Sequence, residues 1–159
     1  MATTITPSTL SVVHSETITL NGQRQGSTTI KTIASITEIS KRILTITTAE
    51  SVIATFSAAV ASAGHYVAAS VRYMRFTNKD DTNFITLTFR NQDNDEVAIK
   101  LDAGCTFVWH ADNSGGMVDV FNATEDANAA SDTALGDLTN IQADANTGDC
   151  DLEMFIASI

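Results

Sequence analysis

Cys105, His110 and Asp112 are the residues of this chain whose types and spacing come nearest to catalysis, as a thiol nucleophile, its base and the group orienting that base. The phase of the surrounding sequence argues against it. Cys105 alternates with Phe107 and Trp109 on one apolar face, whereas His110 points to the other face and reads as a strand-end surface residue. His14 and His65 lie near no nucleophile motif. Asp144, Asn146 and Asp149 in DANTGD look like part of a calcium loop. Such a loop needs glycine at its sixth position and glutamate at its twelfth, but Gly148 falls at the fifth and the glutamate is missing. Asp93, Asn94, Asp95 and Glu96 form a second acidic cluster, better read as a hairpin turn. There is no CxxC motif and no paired histidine to suggest zinc. Arg72, Tyr73, Arg75 and Phe76 interleave cations with aromatic rings as a sheet-type RNA reader does, without the glycine spacing or basic charge of one. The sequon Asn122-Ala-Thr124 needs a secretory pathway that nothing else in the chain suggests. The expectation is a non-enzyme with no catalytic, cofactor-binding or metal-binding residues, and no cofactor.

The elements that would position these residues are strands. Between Val71 and His110 the sequence reads as three runs, VRYMRFTN, FITLTFRN and EVAIKLDAGCTFVWH, separated by the polar turns KDDTN and QDND. Ile85, Leu87 and Phe89, then Val97, Ile99 and Leu101, then Cys105, Phe107 and Trp109 recur at every second position. That period predicts antiparallel strands with one buried face. Met74 and Phe76 are expected to point inward. Before this block, residues 1–9 (MATTITPST) read as an extended arm, and Leu10 to Leu20 has strand character. NGQRQG at 21–26 is a turn, because Asn-Gly supplies the positive φ of a tight hairpin. The Ile/Thr-rich stretch up to Thr48 suggests two strands, with Glu38 and the Lys41-Arg42 pair on the wet side. The stretch 47–64 carries both helical and strand signals. It reads as a short strand at 51–57 followed by an Ala/Ser-rich connection. After His110, DNSGG is a turn, MVDVF a short strand, and residues 122–148 a polar, acidic surface excursion. CDLEMFIASI then closes the sheet. The fold expected is a mainly β, single antiparallel β-sandwich or flattened barrel of about seven to nine strands. It comprises the arm at 1–9 and one domain at 10–159.

Composition agrees with this. A chain of 159 residues with 43% apolar content is long enough to bury roughly 70% of its unfolded surface in one core. No signal peptide or membrane span is visible, so manufacture in a cytoplasm is expected. Residues 1–79 carry seven basic and three acidic groups (+4), residues 80–159 two basic and sixteen acidic (−14), which together give the net charge of −10. Binding to nucleic acid or to an anionic membrane is therefore disfavoured. Cys105 and Cys150 each fall in phase with an apolar strand face. Buried free thiols are the expectation, with a cross-strand disulfide as the alternative.

The block from Val71 to Gly116 resembles a recurring core in small virion structural proteins of tailed bacteriophages, especially those of marine bacteria. The matching residues are Tyr73, Arg75, Thr77 and Asn78 on a strand, Asp81, Thr82 and Asn83 in a turn, and Lys100, Leu101, Gly104, Phe107 and Val108 around a step into the next strand. The resemblance covers roughly the middle third of the chain. It implies a non-enzymatic structural role in a virus particle, made in the host cytoplasm and located in the virion. The first expectation is a capsid decoration (cement) protein that binds the major capsid protein and forms a homo-oligomer such as a trimer. Residues 1–9 and 122–148 would be its contact surfaces. The alternatives are a tail, connector or fibre-associated subunit, and a carbohydrate- or receptor-binding β module with Trp109, Tyr66 and Tyr73 as platforms.

Overall fold

The structure, a computed structural model, describes residues 5–92, 94–110 and 138–159. The first strands are β1 (Ser8–Ser15), β2 (Ile18–Leu20), β3 (Gln23–Gln25), β4 (Thr28–Ile36), β5 (Glu38–Ile46), β6 (Ser51–Ser57) and β7 (His65–Val67). One turn of 3-10 helix at Ala68–Ser70 leads into β8 (Val71–Asn78), β9 (Ile85–Asn91), β10 (Glu96–Leu101), β11 (Thr106–His110), β12 (Leu138–Ala145) and β13 (Cys150–Ser158). Nine of these strands form two sheets, ordered β10-β9-β12-β6-β7 and β11-β8-β13-β5. All the pairings are antiparallel except that of β6 with β7. The mainly β sandwich read from the sequence is the fold.

The core lies between the two sheets, and alternation builds it. Met74 and Phe76 of β8 and Leu152, Met154 and Ile156 of β13 face Ile85, Leu87 and Phe89 of β9 and Ile141 and Ala143 of β12. The ring of Phe89 is its centre, edge-on to Phe76 at 6.4 Å and 5.6 Å from both Phe107 and Trp109. Such aromatic pairs add about 0.5–1.5 kcal/mol each beyond the area they bury.

The three runs between Val71 and His110 are four strands. β8 and β11 pair in one sheet, and β9 and β10 in the other. The chain therefore crosses the sandwich at 79–84 and returns at 102–105, where Gly104 adopts φ +70°. One fully buried side chain holds both crossings. Asn78 Nδ2 donates to the carbonyls of Asn83 (2.8 Å) and Leu101 (3.1 Å), and its Oδ1 accepts from Asp80 N (3.0 Å). This break also moves Cys105, which sits exposed in the turn ahead of β11 instead of inside, while Cys150 is buried, and both are free thiols.

Three further expectations are corrected. Residues 138–145 of the expected surface excursion at 122–148 are β12, a central strand paired on both sides with Leu138, Ile141 and Ala143 buried. Residues 122–137 lie outside the described residues, as do DNSGG and MVDVF. Arg42 does not share the wet side with Lys41, because neighbours on a strand face opposite ways. It turns under the sheet, where Nη2 donates to Tyr66 Oη at 3.1 Å. The arm is also shorter than 1–9, since Ser8 and Thr9 belong to β1. β6 confirms the strand reading of 51–57.

Candidate interaction surface

β1 to β4 form one long hairpin outside the sandwich. Its turn is Asn21-Gly22, with φ of +50° and +77°, the doubly positive geometry that matches the twist of paired strands. β1 pairs with β4 from Ser8↔Ile36 to Ser15↔Thr28, and β2 with β3 from Ile18↔Gln25 to Leu20↔Gln23. The two halves meet at a bend where Glu16 N donates to Ser27 O at 2.9 Å. Gly26 is obligatory there. A Cβ on it would stand 2.3 Å from the carbonyl oxygen of Glu16, and φ is +145°.

The hairpin lies on the outer face of the β11-β8-β13-β5 sheet. That face presents cross-strand rows, the first being His110, Tyr73, Ala157 and Ile39, and the second Val108, Arg75, Phe155 and Lys41. Val12, Ile33 and Ile36 of the hairpin are buried with Tyr73 and Ala157, and Leu10, Val108 and Phe155 pack around them. Thr37 alone separates β4 from β5, and its N–H donates to Ser158 O at 2.9 Å, so the base of the hairpin sits at the β5 side. At the other end His14 Nε2 lies 3.0 Å from His110 Nε2 on the opposite edge strand. The hairpin therefore crosses the sheet from edge to edge. Tyr73 is wedged between the rings of His110 (5.4 Å) and Phe155 (5.9 Å). Burial raises its phenol above the ordinary range, and Arg75 opposes that.

Beyond His110 nothing of the described chain supports the hairpin. Every residue of β2 and β3 is exposed, Ile18 at 55% and Leu20 at 59%. Beside the hairpin base the first row ends in Ile39, 58% exposed, and a third row, Thr106, Thr77, Glu153 and Ile43, ends in Ile43, 63% exposed, both on β5. Between and beside them runs an ion network: Glu153 accepts from Arg75 and lies 3.4 Å from Lys41 Nζ. The Arg75 hydrogen bond, with the charges of Arg75 and Lys41, holds the Glu153 carboxyl below the ordinary carboxylate range. Among the described residues β5 pairs only with β13, which makes it an edge strand of its sheet.

Under that edge, between β5 and β6, opens a cleft of about 530 Å³ lined by Arg42, Leu44, Ile53, Gly64 and His65 among others. Arg42 Nη2 closes part of it by donating to Tyr66 Oη and to Ile53 O (3.4 Å).

The sequence-derived chemical sets are not assembled. Cys105 is in the turn before β11 and His110 at its far end bound to His14, roughly 16 Å apart at strand rise, and Asp112 lies outside the described residues. Asn146 of the DANTGD loop spends its side-chain oxygen on Phe84 N at 3.2 Å. Among the described residues no group of three or more His, Cys, Asp or Glu is placed to hold a metal. Asn94 turns with φ +68° and Glu96 pairs with Arg90, as a hairpin turn requires. Trp109, Tyr66 and Tyr73 are each 6% exposed or less, so none offers a free ring face to a sugar. Of the surfaces expected to make contacts, residues 5–7 are exposed, residues 1–4 and 122–137 lie outside the description, and 138–145 are core. The projecting tip was absent from that expectation, although Asn21-Gly22 between Ile18-Thr19-Leu20 and a polar strand was its signal. A scan of protein-family models finds no match to this chain, and no curated protein matches it.

Proposed function

We propose that this chain is a non-enzymatic structural subunit of a phage virion, in the first instance a capsid decoration protein seated on the major capsid shell. The observation that carries the reading is the hairpin tip, whose Ile18 and Leu20 are held in water well clear of their own core. A projecting apolar finger on a well-packed sandwich suits a protein whose work is contact with other subunits. The resemblance of the Val71–Gly116 block to small virion proteins supports the same class. Stabilisation would follow from mass action: a subunit that binds only the expanded shell favours it by about 2.7 kcal/mol per site at a hundredfold excess over Kd.

The test is co-sedimentation of the purified chain with expanded empty capsids of its source phage. Saturable binding that is lost in Ile18→Asp/Leu20→Asp is expected. Failure to bind shells, with assembly instead onto tails or into tubes, would move the chain to the tail or connector class.

A further inference from the structure

We infer that the hairpin tip of one copy docks on the outer face of β5 in a second copy, so that the chain assembles head to tail through two different patches of its own surface. Distances set this out. The four-stranded sheet is three strand spacings wide, about 14 Å, whereas residues 15–20 continue past His14 for roughly 20 Å more. His14 already stands at the β11 edge, and past the bend at Glu16 every residue of β2 and β3 is exposed. Ile18 and Leu20 alternate onto one side of the tip, among Gln25 and Gln23. The tip does not fold back onto its own β5 at the opposite edge of the same sheet, since Ile18, Leu20, Ile39 and Ile43 are all exposed. The β5 edge of a neighbouring copy is open to it.

The face that receives it is continuous with an interface the chain already makes. Val12, Ile33 and Ile36 of the hairpin are sealed onto Tyr73 and Ala157, and Ile39 is the next residue in that row. This face therefore accepts the apolar side of this hairpin within one molecule and stops short of Ile39 and Ile43, which stay open. Tip and receiver being different patches, the contact is heterologous. Repeated, it closes into a ring if the rotation permits and otherwise grows as a filament.

Two isoleucine-sized anchors on each side make a small interface, so a single contact is expected in the micromolar range, with ring closure supplying the rest as an intramolecular contact. The inference holds whether or not the assembly sits on a capsid shell. The experiment is light scattering and sedimentation velocity on the whole chain, with a tip variant (Ile18→Asp/Leu20→Asp) and a face variant (Ile39→Asp/Ile43→Asp). All four positions are exposed, and unchanged melting and circular dichroism will verify that both variants fold. Wild type is expected to form a closed oligomer or a growing one, and each variant to be monomeric. Mixed together the two variants should form a 1:1 dimer, because the face variant keeps a working tip and the tip variant a working face. A wild type monomeric at roughly 100 µM, where even a modest interface would be populated, overturns the inference. So does a tip variant that keeps the wild-type size, or a mixture of the two variants that stays monomeric.

Discussion

The sandwich and the hairpin are made of the same strand-forming residues, yet they are held together by different physics. In the sandwich each apolar row meets another across the sheets, and Phe76, Phe89, Met74 and Leu152 are wholly enclosed. In the hairpin the turn and the ladder are local, and only Val12, Ile33 and Ile36 reach a buried position. An isolated two-stranded hairpin is marginal in water, so its order depends on that small docking patch. Strand formation is thus no guide to local stability here. The number of faces covered is.

The largest test of that contrast is Phe89→Ala, which should cost about 3–5 kcal/mol of global stability in denaturant titrations, because the ring contacts three others. A loss under about 1 kcal/mol would mean the core repacks around the gap. Next is Asn78→Ala. It strands the buried carbonyl of Leu101, and a fall of about 1–3 kcal/mol is expected, with faster hydrogen exchange at both crossings. Ile33→Ala separates the regions most directly. Amides of residues 8–36 should exchange far faster while those of β8, β9 and β13 keep nearly wild-type protection. If protection fell evenly, hairpin and sandwich would be one cooperative unit.

The smallest effect concerns pH. Glu153 is held ionised by Arg75 and Lys41, so its folded carboxyl titrates below its unfolded one. Its contribution is therefore complete above the ordinary glutamate range and is lost as pH falls through the lower, folded value. Glu153→Gln should be less stable than wild type by up to about 1 kcal/mol near neutrality, since the pair is partly open to water, and the two should converge in acid. A gap that persisted undiminished in acid would show that packing, not charge, accounts for the effect.

Much of this was legible in the sequence. Strict alternation revealed β9 and β13, and Asn21-Gly22 revealed the hairpin turn. What hid the rest is equally physical. β12 carries a register shift between Leu138 and Asn140 in its pairing with β9, so Leu138 falls out of phase with Ile141, Ala143 and Ala145. Two of its buried residues are alanines, which barely register as apolar beside Asn140, Gln142 and Asp144. The split of EVAIKLDAGCTFVWH was masked because Leu101, Cys105 and Phe107 keep the odd-numbered phase across a turn that changes sheets. The candidate interaction surface was least legible of all. Exposed isoleucines on a strand look like core until the opposing layer is seen to end, and Ile18, Ile39 and Ile43 all lie beyond such an end.

Thr37, the single residue between β4 and β5, has a mechanical consequence. With so short a tether the hairpin cannot swing freely, and a pull on its tip runs across the strands of the sheet. The buried patch of Val12, Ile33 and Ile36 resists that load sideways, all its contacts at once, before any of it reaches Thr37. Only after the patch has slipped would tension peel β5 from β13, one rung after another. The finger is thus a lever with a friction clamp at its base, placed so that a pull on its tip loads the clamp before the ladder that holds the body closed.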